Sequence, residues 1–417
     1  MKTFFISSAF IHMEVSFPYG RKNIVIDIPE KNLLKVAEAK EKKAGNEEEI
    51  IKKAIENPVN AKKLEKLKGK IAIVVDDKTR PCPTKKLLPY ILEKLKGEIK
   101  IIFATGTHVP VNEKEAEELL GKEIANEYEW VSHSQKAKFV DYGVTNFGTP
   151  LFFNAEFANA DAKILIGDVE YHYFAGYGGG RKSVLPGVAA EVTIETNHKR
   201  MFHEKSRFGI LDGNPVHEDM EEAADIAGVD FCLNVVMNSR HEIVGAFAGD
   251  HKHALRQGAK LVDEMYRVEI EQKADAAIIA ADGHPHDINL YQAMKAIQTV
   301  IDVVKEGGTI VLIAECKEGH GSEKFYNEME KYESSEEIKK DLLKKFVMGK
   351  HKVYYMLKAA EKVKLYTITD MDEEMASHFK MEKIGEDEIL DKIYERHGKE
   401  AKIIASPHAT TTLVALR

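Results

Sequence analysis

The sequence predicts an α/β chain of two domains, each with a mainly parallel sheet flanked by helices and with an active site in the cleft between them. Three observations carry that expectation. The chain has 417 residues, more than a single compact core usually organises. Short, near-continuous apolar runs rich in Val and Ile alternate with longer Lys/Glu-rich amphipathic stretches. The unusual polar and glycine-bearing segments fall where those runs end, and in open parallel sheets ligands bind beyond the carboxyl ends of strands.

The elements follow in order. The opening "MKTFFISSAFIHMEV" has Lys2 and a short apolar run, as a signal peptide would, but histidine and glutamate follow at once with no small-residue cleavage site. It reads as a first β-strand. Asn46 and Glu49 frame a capping box for a helix over 46–57. "KIAIVVDD" (70–77), "EIKIIFATGTH" (98–108) and "AKILIGDVE" (162–170) read as strands covered on both faces. A boundary near 266–274 divides an N-terminal domain over 1–270 from a C-terminal domain over 271–417. In the second domain "ADAAIIAADG" (274–283), "GGTIVLIAEC" (307–316) and "AKIIASP" (401–407) repeat the strand pattern. A helix over about 288–305 lies between the first two, stopped by Gly307-Gly308.

Composition excludes several classes. Hydrophobic residues make up 44%, an ordinary globular share. The net charge of -8 argues against nucleic acid as a bulk partner. Cys82, Cys232 and Cys316 lie far apart without a CxxC, which argues against a disulfide framework or a cysteine-built zinc site and points to a reducing cytoplasm. No run of 18 apolar residues is present, so no membrane span is expected.

Four strand-end loops concentrate the chemistry. Asp76-Asp77-Lys78-Thr79-Arg80-Pro81 follows the first strand run, and Gly106-Thr107-His108-Val109-Pro110 the second. His172 and a run of Gly176, Gly178, Gly179 and Gly180 ending in Arg181-Lys182-Ser183 follow the third. Asp282-Gly283-His284-Pro285-His286-Asp287 ends the fourth. Arg181 stands where both the Walker A motif and the dinucleotide fingerprint require glycine, so each fails by one residue. An anion contact through backbone N–H groups, Arg181 and Lys182 stands at even odds against a plain structural turn. Lys182 is also a candidate nucleophile, because an amine beside a cation or removed from water reacts as the free base; the ordinary alternative is a solvated lysine. Of 17 histidines most must be structural; "HKH" (251–253) reads as solvated. Gln292 and Lys295 share a helix face opposite Leu290, Ile297, Ile301 and Val304, which suits a carboxylate or equally a solvated face. The residues alone therefore describe a two-domain α/β enzyme acting on a small anion.

The combination of D-D-x-T-R-P, G-T-H-x-P, the glycine run ending in R-K-S, and Asn197-His198 resembles the nickel-pincer lactate racemase family. His198 lies sixteen residues past Lys182, and His172 ten before it. Tyr291-Gln292-Ala293-Met294-Lys295 fits the family's second-domain element, so the likeness covers nearly the whole chain. The resemblance implies a racemase that interconverts D- and L-2-hydroxy acids by reversible hydride transfer. Its cofactor would be the nickel-pincer nucleotide, Ni(II)-pyridinium-3,5-bisthiocarboxylate mononucleotide, held covalently by Lys182 through a thioamide, with His198 as the nickel's protein ligand. Asp77, Lys78, Thr79 and Arg80 would contact cofactor, with Arg80, Tyr291, Gln292 and Lys295 on the substrate. His108 and His172 would be the paired acid/bases, one for each hand. The family also implies partners that make and deliver the cofactor. Lactate is the first substrate implied; malate or a larger 2-hydroxy acid is the alternative. The only tryptophan is Trp130, and "GKHKVYYM" (349–356) offers Tyr354 and Tyr355 where lactate-handling members carry a tryptophan. A nucleotide- or phosphate-binding α/β enzyme and a non-catalytic cofactor carrier are the competing readings.

Overall fold

The computed structural model describes residues 12–417, so most of the expected opening strand lies outside the described residues. The chain forms two compact units. One is Lys40–Met265; the other joins the residues up to Ala39 with Tyr266–Arg417.

Strands β1 (His12–Tyr19) and β2 (Lys22–Pro29) form an antiparallel hairpin. Val15, Phe17, Tyr19, Ile24, Ile26 and Ile28 are buried along one face, the alternation of a half-covered ribbon. Strand β3 (Leu33–Val36) pairs in parallel with residues 403–405 near the other end of the chain. The sequence-based assignment of all of residues 1–270 to one domain is therefore corrected. Hydrophobic alternation shows that the hairpin needs a sheet to cover it, but not which sheet.

The Lys40–Met265 unit carries β4 (Lys70–Asp76), β5 (Glu98–Ala104), β6 (Glu129–Ser132), β7 (Phe139–Val144), β8 (Pro150–Asn154), β9 (Ala162–Asp168), β10 (Tyr171–His172), β11 (Gly176–Tyr177), β12 (Phe231–Met237) and β13 (Ile243–Gly249). Six of them make one sheet in the order β13-β12-β9-β4-β5-β6, parallel except for β13 at the edge. Ile73, Ile101, Phe103, Ile164 and Leu233 anchor its core. Of the expected capping box only the Asn46 half forms, its side chain accepting from the Glu49 N–H at 3.4 Å. Asn112 and Glu115 make both halves at the helix Glu113–Leu120.

The other unit continues with β14 (Arg267–Ile270), β15 (Ala274–Ala280), β16 (Val304–Ile313), β17 (Lys364–Ile368), β18 (Met381–Lys383), β19 (Ile403–Ser406) and β20 (Leu413–Leu416). Its main sheet runs β18-β17-β16-β15-β19-β3, parallel throughout. The hairpin β1–β2 covers one face of it, packing with Ile278, Val311 and Ile403. The helix expected over 288–305 is broken into Leu290–Ala293 and Lys295–Val300, and β16 already begins at Val304. Gly307-Gly308 thus lies inside a strand. A Cβ on Gly308 would sit 2.8 Å from the Asp275 carbonyl, so the glycine permits a close strand approach rather than stopping a helix. Among the described residues no helix is long and apolar enough to cross a membrane.

A chain beginning at Lys40 removes the six buried apolar side chains of β1 and β2, Ala37, and one strand of the ladder. At roughly 1.5–3 kcal/mol per side chain the loss rivals a whole domain's stability. We expect its urea unfolding to lose the transition of the Tyr266–Arg417 region; an unchanged cooperative transition there would contradict this packing.

Candidate active site

Three of the four singled-out loops leave the adjacent strands β5, β4 and β9 of the Lys40–Met265 unit; the fourth ends β15 in the other unit.

The loop after β4 is organised by Asp77. One carboxylate oxygen accepts the Thr79 N–H at 2.9 Å and the Thr79 hydroxyl, and the other meets His108 Nδ1 at 2.8 Å. Burial alone would push this carboxyl up, but the bonds from His108 and Thr79 outweigh it and hold Asp77 below the usual carboxylate range. Because Nδ1 donates to Asp77, neutral His108 presents a bare Nε2, and its ring is 46% exposed. Arg80 Nη1 reaches Glu170 at 3.1 Å. Lys78 instead turns to Glu115 on the neighbouring helix and is mostly exposed.

Beyond β9 the chain makes the small hairpin β10–β11, which pairs His172 with Gly176. The Ala175 N–H donates to His172 Nδ1 at 3.2 Å, so neutral His172 carries its proton on Nε2, the tautomer opposite to that of His108. Phe174 lies edge-on between two imidazoles, its centroid 4.6 Å from His172 and 5.0 Å from His198. His198 ends the helix Glu191–His198 and is 3% exposed. Burial, with help from Lys182, lowers it to about 3, so it is a neutral imidazole. Burial and the charges of Lys182 and Arg80 likewise push His172 well below its ordinary range.

The glycines answer a steric demand. Gly176 has φ +77° and a Cβ there would lie 2.1 Å from the Ile210 carbonyl oxygen. Gly179 has φ +82° and its Cβ would lie 2.9 Å from the Asp168 carbonyl oxygen. Arg181, offered above as an anion contact, is fully buried, and its recorded bonds go to loop carbonyls and to His217. That expectation is corrected: the turn over Gly180–Ser183 sends Arg181 inward. The Lys182 backbone bonds to Gly179 and Gly187, but its amine has no hydrogen bond or ion pair among the described residues. Burial first, then the cations of Arg80 and Arg181, push its amine well below the ordinary lysine range, against the opposing pull of Glu170 and Asp76.

Sequence reasoning missed the acidic side of this cluster. Asp76, Cys82 and Asp168 bring their oxygen and sulfur atoms within 4.8 Å of one another. Burial raises Asp76 to about 6, with Asp77 and Glu170 adding to it, and raises Asp168 well above its usual range, with Glu170 and Asp76 adding to it. The available signal was position: both are the last residues of their strands.

In the other unit Asn289 caps the turn that carries Tyr291, Gln292 and Lys295, accepting the Gln292 N–H at 3.1 Å. Gln292 and Lys295 are exposed there while Leu290, Ala293 and Ile297 are buried. Lys352, unnoticed in the sequence, sets its ammonium 3.6 Å from the Tyr291 ring centroid and donates to the Tyr291 carbonyl. Tyr354 and Tyr355 are buried on the same helix, Lys350–Lys362. Trp130 is a core residue of the first unit, edge-on to Phe103 at 5.8 Å. "HKH" is not solvated as expected: His251 is buried, with Nε2 3.0 Å from Asp225.

A lysine amine shifted down from its ordinary range, two imidazoles of opposite tautomer and a half-exposed arginine gather at the carboxyl ends of parallel strands, where open α/β sheets of enzymes bind their ligands. Residues 19–209 match the family model of the lactate racemase N-terminal domain, and 269–414 that of the lactate racemase C-terminal domain. The chain is 34% identical over 344 residues to a lactate racemase of Thermoanaerobacterium thermosaccharolyticum, covering 79% of this chain and 80% of that one. It is 33% identical over 432 residues to the lactate racemase of Lactiplantibacillus plantarum, covering 96% and 99%. The solved lactate racemase apoprotein from T. thermosaccharolyticum superimposes with a TM-score of 0.89 at 30% identity, over 97% of this chain and all of that one. A Thermotoga maritima protein at 18% identity and a TM-score of 0.64 shares the fold. The chain belongs to the lactate racemase family.

The buried histidines give a signed pH dependence. His133 is lowered to about 4 and His198 to about 3, both chiefly by burial, against an ordinary 6.5. Their contribution is complete above pH 6.5 and is lost as pH falls toward those values, at up to about 1.4 kcal/mol per group and pH unit. Asp76, raised to about 6, and Asp168, also raised by burial, run the other way: their penalty is relieved as pH falls toward 3.8. With His172 and His217 also lowered, the histidines prevail. The Tm should be lower at pH 5 than at pH 7; an equal or higher value at pH 5 would refute this balance.

Proposed function

We propose that the protein racemises a 2-hydroxy acid, with lactate as the first substrate, using a nickel-pincer nucleotide tethered to Lys182. The observation that carries this reading is the Lys182 amine: it lies behind a glycine cradle, without a partner among the described residues, beside Arg80, His172 and His198. The donor set fits the group. A thioamide requires a neutral amine, which burial and the nearby cations favour at Lys182. A soft nickel centre would take a neutral imidazole, which His198 would supply. When bound, the nucleotide supplies the centre that accepts and returns the substrate's α-hydrogen as hydride.

The protein's own residues do the rest. The α-carbon beside a carboxylate is poorly acidic, so the hydroxyl proton must leave as the hydrogen leaves. His108 Nε2 is free to take it, and Asp77 steadies the resulting imidazolium through Nδ1. His172 is proposed as the acid/base for the opposite hand, taking the proton on Nδ1 once that atom is released from the Ala175 N–H. Arg80, now holding the half-exposed Glu170, can exchange that carboxylate for the substrate's. Asp77 and Thr79 shape this loop, while Lys78, turned to Glu115, has no contact that favours a cofactor role. Tyr291, Gln292 and Lys295 are proposed to bind substrate as well. Lys352, close enough to Lys295 for their charges to interact, favours a second reading in which the acid carries another anionic group, as malate does. Cofactor-making proteins are the expected partners, and the cytoplasm the expected location.

The test is protein co-produced with the cofactor-making enzymes and offered a panel of chiral 2-hydroxy acids. His108→Ala and His172→Ala should each lower kcat by about 10²–10⁴ while nickel content stays unchanged. Full activity in either variant would remove the two-base scheme. Lys182→Ala should lose the mass addition seen by intact mass spectrometry. Asp77→Asn should lower kcat at least tenfold with little change in KM; wild-type turnover would separate Asp77 from His108.

A further inference from the structure

The glycine loop is stitched from inside by a side chain with no part in the chemistry above. Arg181 is fully buried. Its Nη1 donates to the carbonyls of Gly178 at 3.0 Å and Gly179 at 3.1 Å, and its Nη2 to that of Ala175 at 2.9 Å. Its Nε donates to His217 Nδ1 at 3.0 Å. His217 is itself fully buried, and its Nε2 faces Glu221 at 3.5 Å. No carboxylate among the described residues pairs with the guanidinium directly. Such an ion is expensive to bury, and three carbonyls, the His217 ring and the nearby charge of Glu221 compensate it.

The geometry shows what the cation does. A carbonyl and the N–H of the same peptide point in opposite directions. Gathering three carbonyls on the guanidinium turns the N–H groups of Gly176, Gly179 and Gly180 the other way, and that of Gly180 meets Asn234 Oδ1 at 3.0 Å. The tight turn Gly180–Ser183 rotates successive side chains by about 120°. With Arg181 committed inward, the next side chain must leave on another face, where Arg80, Asp76 and Glu170 surround it. Only a planar fork with several donors can bridge carbonyls this way; a lysine ammonium offers a point charge.

We propose that Arg181 is the positioning residue for Lys182: its guanidinium fixes the shape of the glycine loop and thereby presents the lysine amine beside a second fixed cation. The inference rests on the reading of Lys182 as the reactive amine, and is tested apart from it. The charged groups facing Lys182 are Arg80, Arg181, Glu170 and Asp76, with His172 and His198 adjoining. Those facing Arg181 are His217, Glu221, Cys232 and Arg256.

The experiment treats the full chain, without cofactor, with acetic anhydride between pH 6 and 10. Peptide mass mapping then compares acetylation of Lys182 with that of Lys114, whose side chain is 87% exposed. In the wild type Lys182 should react from a lower pH than Lys114. Arg181→Lys and Arg181→Met should move that onset upward and cut the Lys182/Lys114 ratio at least tenfold, with no rescue by the lysine. A wild-type ratio and onset in Arg181→Lys would overturn the proposal. Should the Arg181 variants fail to fold by circular dichroism, the His217 pair decides. His217→Asn keeps an acceptor near Nδ1 and should hold the ratio within threefold, whereas His217→Leu should lower it by more than threefold. Equal ratios in the two would overturn the proposal. Holoprotein lacking a mass addition on wild-type Lys182 would sink the tether, while the acetylation pattern would still judge Arg181.

Discussion

A partly buried lysine amine with no carboxylate bonded to it among the described residues is the constraint on which the site depends. In water an amine at neutral pH is protonated and inert as a nucleophile. Here burial and the cations of Arg80 and Arg181 together outweigh the pull of Asp76 and Glu170. The acids nearby respond in kind. Asp76 and Asp168 are crowded and buried, so both retain protons to higher pH than an ordinary carboxyl. Acids that hold protons and bases that release them sit side by side, which lets a dense cluster of ionisable groups stay close to neutral without water.

The histidines show the same economy with opposite wiring. Asp77 holds His108 by Nδ1, whereas the Ala175 N–H holds His172 by the same atom in the opposite sense. One ring offers a lone pair and the other a proton, each set by the group that meets its Nδ1. Phe174, edge-on to both His172 and His198, keeps those two rings from turning.

Much of this was legible in the sequence, for physical reasons that differ by residue. "KIAIVVDD" and "AKILIGDVE" are apolar throughout because strands buried on both faces must be, and the polar residues that follow such strands mark a ligand-facing edge. The glycine run stood out by its letters, but that Gly176 and Gly179 make room for the Ile210 and Asp168 carbonyls was not readable from them. What could not be read depends on pairs distant in sequence. Arg181 looked like an anion ligand because nothing local reveals that three loop carbonyls would claim it. Lys352 is sixty-one residues from the Tyr291 it covers, in a helix whose lysines are otherwise unremarkable. Gly307-Gly308 carries the same letters whether it stops a helix or lets two strands touch; only the neighbouring Asp275 carbonyl distinguishes the two.

The pairing of β3 with β19 bears on how the molecule comes into being. Leu33 leaves the ribosome long before its ladder partner Ile403 has been made. At about 5–20 residues per second the interval is on the order of twenty seconds to a minute. The Lys40–Met265 unit, continuous in sequence, has every strand of its sheet in hand during that wait. The hairpin β1–β2 does not: Ile278 and Val311, which cover its Val15, Phe17 and Ile28, are made only after that whole unit, and Ile403 later still. Nascent chains stalled before residue 403 are accordingly the species a chaperone would meet.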